Sequence, residues 1–121
     1  MKLGDIKIGN WVVDNGKYAQ ITGITCDGNI ETTVNEKSNI ELVEPIPLTQ
    51  EILKKNGWSH DTYDNESYDN EDAEMLSLWV GEDGRNAWWW HAGFELVIPI
   101  NYVHQLQNAL ALCEIEKEIE L

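Results

Sequence analysis

The sequence predicts an α+β protein with a small N-terminal SH3-like antiparallel barrel, then a short helix, a three-stranded antiparallel meander and a C-terminal helix. Short apolar runs separated by turn residues predict strands within residues 1–44 and at roughly 75–98. Capping residues and 3-4 apolar spacing predict helices at roughly 49–56 and 101–113. We expect two lobes, 1–44 and 45–121, in one compact unit, because 121 residues with 42% apolar content can bury about two-thirds of the unfolded surface.

Four short strands are predicted in the first lobe. Asn15-Gly16 readily adopts positive φ angles and indicates a type I′ turn, so residues 6–14 and 17–25 should form a hairpin. Turn signals at 27–29 and 35–38 precede further strands at 30–34 and 40–43. Gly9 and Gly23 stand where the strands of a small barrel bend sharply.

Both helices carry start and stop signals. Pro45-Ile46-Pro47 is a stiff connector between the lobes, Thr49 is a suitable N-cap for the first helix, and Gly57 is a suitable left-handed stop. Asn101 is a suitable N-cap for the second helix, whose apolar stripe is Val103, Leu106, Leu110 and Cys113. The tail at 114–121 fits an edge strand or a helix end, and we favour the strand.

Three apolar stretches predict the meander, at 75–80, 86–92 and 94–98. Strand geometry puts Trp88 and Trp90 on one face and Trp89 on the other, and we take Trp89 as the exposed one. The remaining tryptophans are expected in the core because apolar neighbours surround them, namely Trp11, Trp58 and Trp79.

The acidic residues that give the chain its net charge of −14 are clustered. Nine carboxylates lie between residues 61 and 83, and the tail adds Glu114, Glu116, Glu118 and Glu120, so these two segments hold 13 of the 22. Such a field repels DNA, RNA and anionic membranes, which leaves a basic protein as the expected partner. The alternative is that the acidity only keeps a small protein soluble.

A near-perfect tandem, Tyr63-Asp64-Asn65-Glu66 and Tyr68-Asp69-Asn70-Glu71, marks an acidic loop at 59–74 as the partner-binding segment. Its carboxylates present hydrogen-bond acceptors to Lys and Arg much as phosphates do, and an exposed tryptophan is a common interface anchor. Its polar composition is also compatible with a disordered loop. The predicted partner-binding residues are Asp61, Tyr63, Asp64, Glu66, Tyr68, Asp69, Glu71, Asp72, Glu74 and Trp89.

No catalytic, cofactor or metal motif is present, and we expect a protein that is not an enzyme. His60, His91 and His104 lack metal-ligand spacing, the acidic loop does not follow the EF-hand pattern, and there is no phosphate-binding glycine loop. His104 and Gln105 are interpreted as a polar helix edge that bonds a neighbouring loop. Cys26 and Cys113 are expected to be reduced thiols, and without a signal peptide or membrane span the chain should be cytoplasmic.

Three motifs carry a family resemblance: Ile8-Gly9-Asn10, Pro45-Ile46-Pro47-Leu48-Thr49 before a short helix ending in Gly57-Trp58, and Tyr102-Val103-His104-Gln105-Leu106-Gln107-Asn108. The chain resembles small uncharacterised proteins of Bacteroidetes phages and integrated mobile elements. The resemblance implies an accessory protein that is expressed inside a bacterial cell, and such genes often modulate the host or its defences. It assigns no binding or catalytic residue.

The leading hypothesis is a non-enzymatic acidic interaction protein that binds a basic surface of a host protein. By mimicking nucleic acid it would inhibit a host nuclease or defence system, as anti-CRISPR proteins do. One alternative is a structural module that forms a homo-oligomer through edge strands and exposed tryptophans. Another is a small-ligand-binding module with a cleft lined by tryptophans.

Overall fold

The computed structural model describes residues 1–60, 67–69, 76–80, 86–90, 98–112 and 114–121. It has an α+β fold, as predicted, with two five-stranded antiparallel sheets and two α-helices within the described residues. The chain divides into two compact units. The first comprises residues 1–47 and 102–108, and the second comprises residues 48–101 and 109–121.

The first sheet has the strand order β4-β3-β2-β1-β5. The predicted type I′ hairpin is confirmed, because Asn15 and Gly16 have φ angles of 53° and 76° and the strands on either side pair in register. The strands are β1 (Trp11–Asp14), β2 (Lys17–Ile24), β3 (Asn29–Thr32), β4 (Asn35–Asn39) and β5 (Glu44–Pro45).

The predicted barrel is not closed. Among the described residues, the edge strands β4 and β5 pair only with β3 and β1. β5 has two residues and ends at Pro45, which has no N–H to extend a ladder. The strand predicted at 40–43 was wrong, because Ile40–Leu42 is a 3-10 turn capped by Asn39 Oδ1, which accepts from Glu41 N at 2.9 Å.

Aliphatic residues from several elements form the core of the first unit. Alternation along β1 buries Val12 and Asp14 and leaves Trp11 half-buried, so the prediction that Trp11 is a core residue was wrong. The core residues are Ile6, Val12, Ile21, Ile30, Ile40 and Val43, with Met1 packed against them.

A buried carboxylate lies at the edge of this core. Asp14 is 5% exposed, and its Oδ2 atom accepts hydrogen bonds of 2.7 Å from both Thr32 Oγ1 and Ser38 Oγ. These hydroxyls belong to β3 and β4. The cluster therefore stabilises the packing of β1, β3 and β4 while supplying donors to a charge that burial alone would disfavour.

Two sequence motifs meet in a polar clasp, which we define as Gln107 and Asn108 with their partners near β1. Gln107 Oε1 accepts from Trp11 N at 2.8 Å, and Gln107 Nε2 donates to Gly9 O at 3.0 Å. Asn108 Oδ1 accepts from Asn10 Nδ2 at 2.9 Å, and Asn108 Nδ2 donates to Asp5 O at 3.2 Å. The Ile8-Gly9-Asn10 motif and the end of the motif at 102–108 therefore contribute to the stability of the first unit.

The second sheet has the order β10-β9-β8-β7-β6. The prediction of a three-stranded meander was incomplete, because two short strands lie within the segment predicted as an acidic loop. The strands are β6 (Ser59–His60), β7 (Ser67–Asp69), β8 (Leu76–Val80), β9 (Asn86–Trp90) and β10 (Ile98–Pro99).

Helix α1 spans Gln50–Lys55 and follows its predicted signals. Thr49 Oγ1 accepts from Ile52 N at 3.2 Å as the N-cap, and Gly57 has a φ of 91° at the helix end. Trp58, which follows, is 1% exposed and confirms its predicted place in the core. Helix α2 spans Val103–Leu112, so its N-cap position is Tyr102 rather than the predicted Asn101.

Helix α2 ends in a Schellman motif without a glycine. Ile115 N donates to Leu110 O at 2.9 Å and Glu114 N donates to Ala111 O at 3.0 Å, while Glu114 has a φ of 58°. A left-handed conformation costs a non-glycine residue roughly 1–2 kcal/mol. Glu114 therefore occupies a position where glycine is preferred.

We expect Glu114→Gly to raise the free energy of unfolding by about 1 kcal/mol, because glycine adopts positive φ without steric strain. Urea unfolding measures the change. Glu114→Gln is the control for lost charge, and Glu116→Gly is the control for glycine at a position without positive φ. If Glu116→Gly stabilised the protein as much as Glu114→Gly, the backbone explanation would be wrong.

Candidate interaction surface

The structure describes three of the predicted partner-binding residues. Tyr68 and Asp69 lie on β7 and Trp89 lies on β9. The other seven residues of the predicted set lie outside the described ranges, namely Asp61, Tyr63, Asp64, Glu66, Glu71, Asp72 and Glu74.

The strand register separates these three residues onto two faces of the second sheet. Asp69 pairs with Ser77, and Ser77 pairs with Trp89, so Asp69 and Trp89 share a face. Tyr68 pairs with Leu78 on the opposite face. The predicted separation of Trp89 from Trp88 and Trp90 is confirmed, because Trp88 and Trp90 pair with Leu78 and Leu76 on the face that holds Tyr68.

The second cluster of carboxylates is described in full. The tail at 114–121 does not form the strand that we favoured from the sequence, and its residues alternate in exposure. Ile119 is 4% exposed, and Ile115, Lys117 and Leu121 are half-buried. The glutamate row, which we define as Glu114, Glu116, Glu118 and Glu120, is exposed throughout.

Contacts within the second unit hold the tail in this conformation. Asn56 Nδ2 donates to Glu120 O at 2.8 Å, and Asn56 Oδ1 accepts from Glu120 N at 2.7 Å. Lys55 Nζ donates to Leu121 O at 2.6 Å, and Lys117 Nζ lies 5.8 Å from the centroid of the Trp58 ring. The backbone of the glutamate row is therefore preorganised rather than free to collapse.

The carboxylates of the glutamate row keep their charge unneutralised. Among the residues that the structure describes, none of these four side chains forms an ion pair. Elsewhere, Lys37 Nζ lies 4.0 Å from Asp27 Oδ2 in an exposed pair of small energetic value. The Thr25 hydroxyl donates to Asp27 Oδ1 and lowers the pKa of that carboxyl, which keeps it ionised. The described surface is thus strongly acidic at neutral pH.

The predicted polar edge of the C-terminal helix is wrong for His104. His104 is 5% exposed and stacks on Tyr102, with ring centroids 5.9 Å apart and an interplanar angle of 14°. Gln105 Oε1 accepts from Tyr102 N at 3.1 Å, which caps its own helix. Burial lowers the pKa of His104, attraction to Asp5 acts in the opposite direction, and repulsion from the N-terminal ammonium lowers it further.

We expect the stability contributed by neutral His104 to be lost as pH falls. The folded-state pKa lies below the ordinary value of 6.5, so between these two values the unfolded chain binds more protons and the free energy of unfolding rises with pH. Urea unfolding between pH 8 and pH 5 should show this slope, at most about 1.4 kcal/mol per pH unit. His104→Phe should reduce the slope, whereas an identical slope in both proteins would contradict the assignment.

Metal-binding groups and membrane-spanning helices were the two further features sought within the described ranges. No three His, Cys, Asp or Glu residues of these ranges come together to hold a metal ion. Cys26 is exposed with a free thiol, and Cys113 lies outside the described residues. In the same part of the chain, neither helix is long and apolar enough to cross a membrane.

Sequence reasoning found the four tail glutamates but not their geometry. The signal was present in the period-two alternation of Ile115, Ile119 and Leu121 with charged residues. What fixes the tail is Asn56, 64 residues away from Glu120, and no local pattern indicates that contact. Comparison with known proteins finds no matching family, curated protein or solved structure.

Proposed function

We propose that this protein is a non-enzymatic interaction protein of a phage or mobile element that binds a basic surface of a host protein. It acts in the cytoplasm of the bacterial host, where it competes with nucleic acid for a nuclease or defence enzyme. The observation that carries the proposal is the glutamate row, which presents four exposed carboxylates at alternate positions of a tail whose backbone Asn56 holds at Glu120.

Charge and order both favour this mechanism. A preorganised segment loses less conformational entropy on binding than a free one, so more of the electrostatic attraction appears as affinity. Complementary charge also accelerates association, from about 10⁵–10⁶ to as much as 10⁸–10⁹ M⁻¹s⁻¹ at low salt. The net charge of −14 directs this attraction towards cationic partners and away from nucleic acids and anionic membranes.

We also assign the first unit to the SH3-like folds, as an open sheet rather than a closed barrel. Three features support the assignment: the strand order β4-β3-β2-β1-β5, the register shift in β2 between Ile21 and Gly23, and the 3-10 turn that precedes β5. In this proposal the first unit serves as a scaffold and the acidic segments bind the partner.

A pull-down from host lysate, read by mass spectrometry at low and moderate salt, tests the proposed function. The native chain is compared with a tandem variant (Asp64, Glu66, Asp69 and Glu71 to Asn or Gln) and a tail variant (Glu116, Glu118 and Glu120 to Gln). We expect the native chain to capture a basic nucleic-acid-binding protein and both variants to capture at least about tenfold less.

A charge-matched variant provides the control. Glu31, Glu36 and Glu41 are exposed residues of the first unit, and changing them to Gln removes as many charges as the tail variant does. Capture should survive in this control and decrease as salt rises. Equal capture by the native, tandem and tail proteins at low salt would refute the proposal.

A further inference from the structure

One side of the first sheet faces away from the core of the first unit. On the core side, alternate residues of β1 and β2 are buried, namely Val12, Asp14, Ala19 and Ile21. The positions between them lie on the opposite, outer face, together with their partner on β5. The outer face of these three strands consists of Trp11, Val13, Tyr18, Gln20, Thr22 and Glu44.

Some of these side chains already have partners within the protein. Gln20 Nε2 donates to a backbone carbonyl at 3.3 Å, and Thr22 Oγ1 donates to Glu31 Oε1 at 3.0 Å. In the part of the chain that the structure describes, the Tyr18 hydroxyl and the Glu44 carboxylate form neither a hydrogen bond nor an ion pair. These two polar groups are therefore available to a ligand.

Tyr18 and Glu44 belong to one row across three strands. Val13 on β1 pairs with Tyr18 on β2 and with Glu44 on β5, so the three side chains leave the same face side by side. Tyr18 is 57% exposed, Glu44 is exposed and Val13 is half-buried. Neighbouring strands are about 4.8 Å apart, which separates the backbones of Tyr18 and Glu44 by about 10 Å.

We propose that this row, which we define as the Tyr18 site, binds one arginine side chain of a basic partner. Tyr18 supplies an aromatic ring, Glu44 supplies a carboxylate, and Val13 supplies an apolar floor between them. The proposal rests on the proposed function for the basic character of the partner. It goes beyond that function because it gives the first unit a binding contact of its own in addition to its role as a scaffold.

The spacing of the row suits a guanidinium group. A carboxylate accepts from a guanidinium N–H at about 2.8 Å, and a cation binds an aromatic ring within about 6 Å of its centroid. About 10 Å between the outer backbones leaves room for both contacts above Val13, on which the methylene stem can lie. Arginine is favoured over lysine because its planar guanidinium stacks on a ring and bonds a carboxylate with two donors.

Charge favours a cation over other occupants. Lys17, the basic neighbour of Tyr18, pairs with Asp14 and so lies on the other face, where it does not neutralise Glu44. An anion or a second copy of the chain would meet both Glu44 and a net charge of −14. A purely apolar surface would cover the Glu44 carboxylate without giving it a donor, which is costly.

Fluorine magnetic resonance of the full chain labelled with 3-fluorotyrosine tests the Tyr18 site. The four tyrosines give four resonances, and Tyr18→Phe assigns the relevant one. We expect argininamide to shift the Tyr18 resonance saturably, and its neutral analogue citrullinamide to leave it unchanged. Glu44→Gln should weaken the apparent affinity about fivefold. The charge-matched control Glu36→Gln, on β4 at the other edge of the sheet, should weaken it less than twofold.

A titration with a polyarginine peptide separates failure of the Tyr18 site from failure of the proposed function. The site would be overturned by a Tyr18 resonance that ignores argininamide, or that responds equally in the native chain and in Glu44→Gln. The proposed function would survive either result if the peptide still bound the native chain more tightly than the tail variant. If argininamide binds as expected but the peptide binds both proteins equally, the Tyr18 site stands and the glutamate row does not.

Discussion

The double variant Thr32→Val, Ser38→Ala should lose about 3 kcal/mol or more of unfolding free energy. These two hydroxyls are the hydrogen-bond donors to the buried Asp14 Oδ2, and each bond to a charged group contributes roughly 1.5–3 kcal/mol. Natural domains are stable by only about 5–15 kcal/mol, so the loss should be visible in urea unfolding followed by circular dichroism.

Adding Asp14→Asn to that double variant should restore part of the lost stability. A neutral amide is cheaper to bury without donors than a carboxylate is, and its shape is almost the same. The unfolding free energy that Asp14→Asn restores is therefore a direct measure of the cost of burying the Asp14 charge without donors. If the triple variant were no more stable than the double one, Asp14 would not be the source of the loss.

The second large effect is expected at the polar clasp. Gln107→Leu combined with Asn108→Ala removes four hydrogen bonds, and at about 1 kcal/mol each the protein should lose roughly 3–4 kcal/mol. The Trp11 N–H also loses the Gln107 acceptor, whereas Gly9 O keeps the 3.3 Å hydrogen bond that Gln20 Nε2 donates. We expect the midpoint of urea unfolding to fall sharply while binding by the acidic segments, measured well below that midpoint, is preserved.

A matched amide on the other helix provides the comparison. Gln50 is exposed on α1 and its side chain forms no hydrogen bond among the described residues, so Gln50→Leu should change the free energy of unfolding by less than about 0.5 kcal/mol. A similar loss of stability in Gln50→Leu would mean that exchanging an amide for leucine, rather than breaking the clasp, destabilises the protein.

The elements that were predicted well are those whose signals are local. Asn15-Gly16 indicates its turn because both residues tolerate positive φ, and Thr49 and Gly57 mark the helix between them through contacts within a few residues. None of these signals depends on distant parts of the chain. The α+β class followed because the strands come in runs, β1–β5 and β6–β10, each followed by a helix, rather than alternating singly with helices.

The missed features depend on partners that are remote in sequence. Asp14 is buried because Thr32 and Ser38, 18 and 24 residues away, supply donors, and its own neighbours carry no sign of this. Residues 67–69 were predicted as part of a loop because Ser67-Tyr68-Asp69 is too short and too polar to indicate a strand by itself. The segment forms β7 by pairing with β8.

The sequence predicted which residue types the candidate site contains, but not how the sheet arranges them. The tandem and the tail are visible as charge clusters, and alternation separates Trp89 from Trp88 and Trp90. The grouping of Asp69 and Trp89 across Ser77 required the register of three strands, which a one-residue slip would reverse. The sequence alone therefore placed Tyr68 and Asp69 in one surface, whereas the sheet separates them.

The most direct test of nucleic-acid mimicry is competition for the captured host protein. A fluorescent DNA duplex is bound to that protein, and its release is followed as the native chain, the tail variant or the charge-matched control is added. The account predicts that the native chain and the control displace the duplex, that the tail variant does so at least about tenfold less well, and that salt weakens displacement. A host protein that holds the duplex and the native chain at the same time would contradict it.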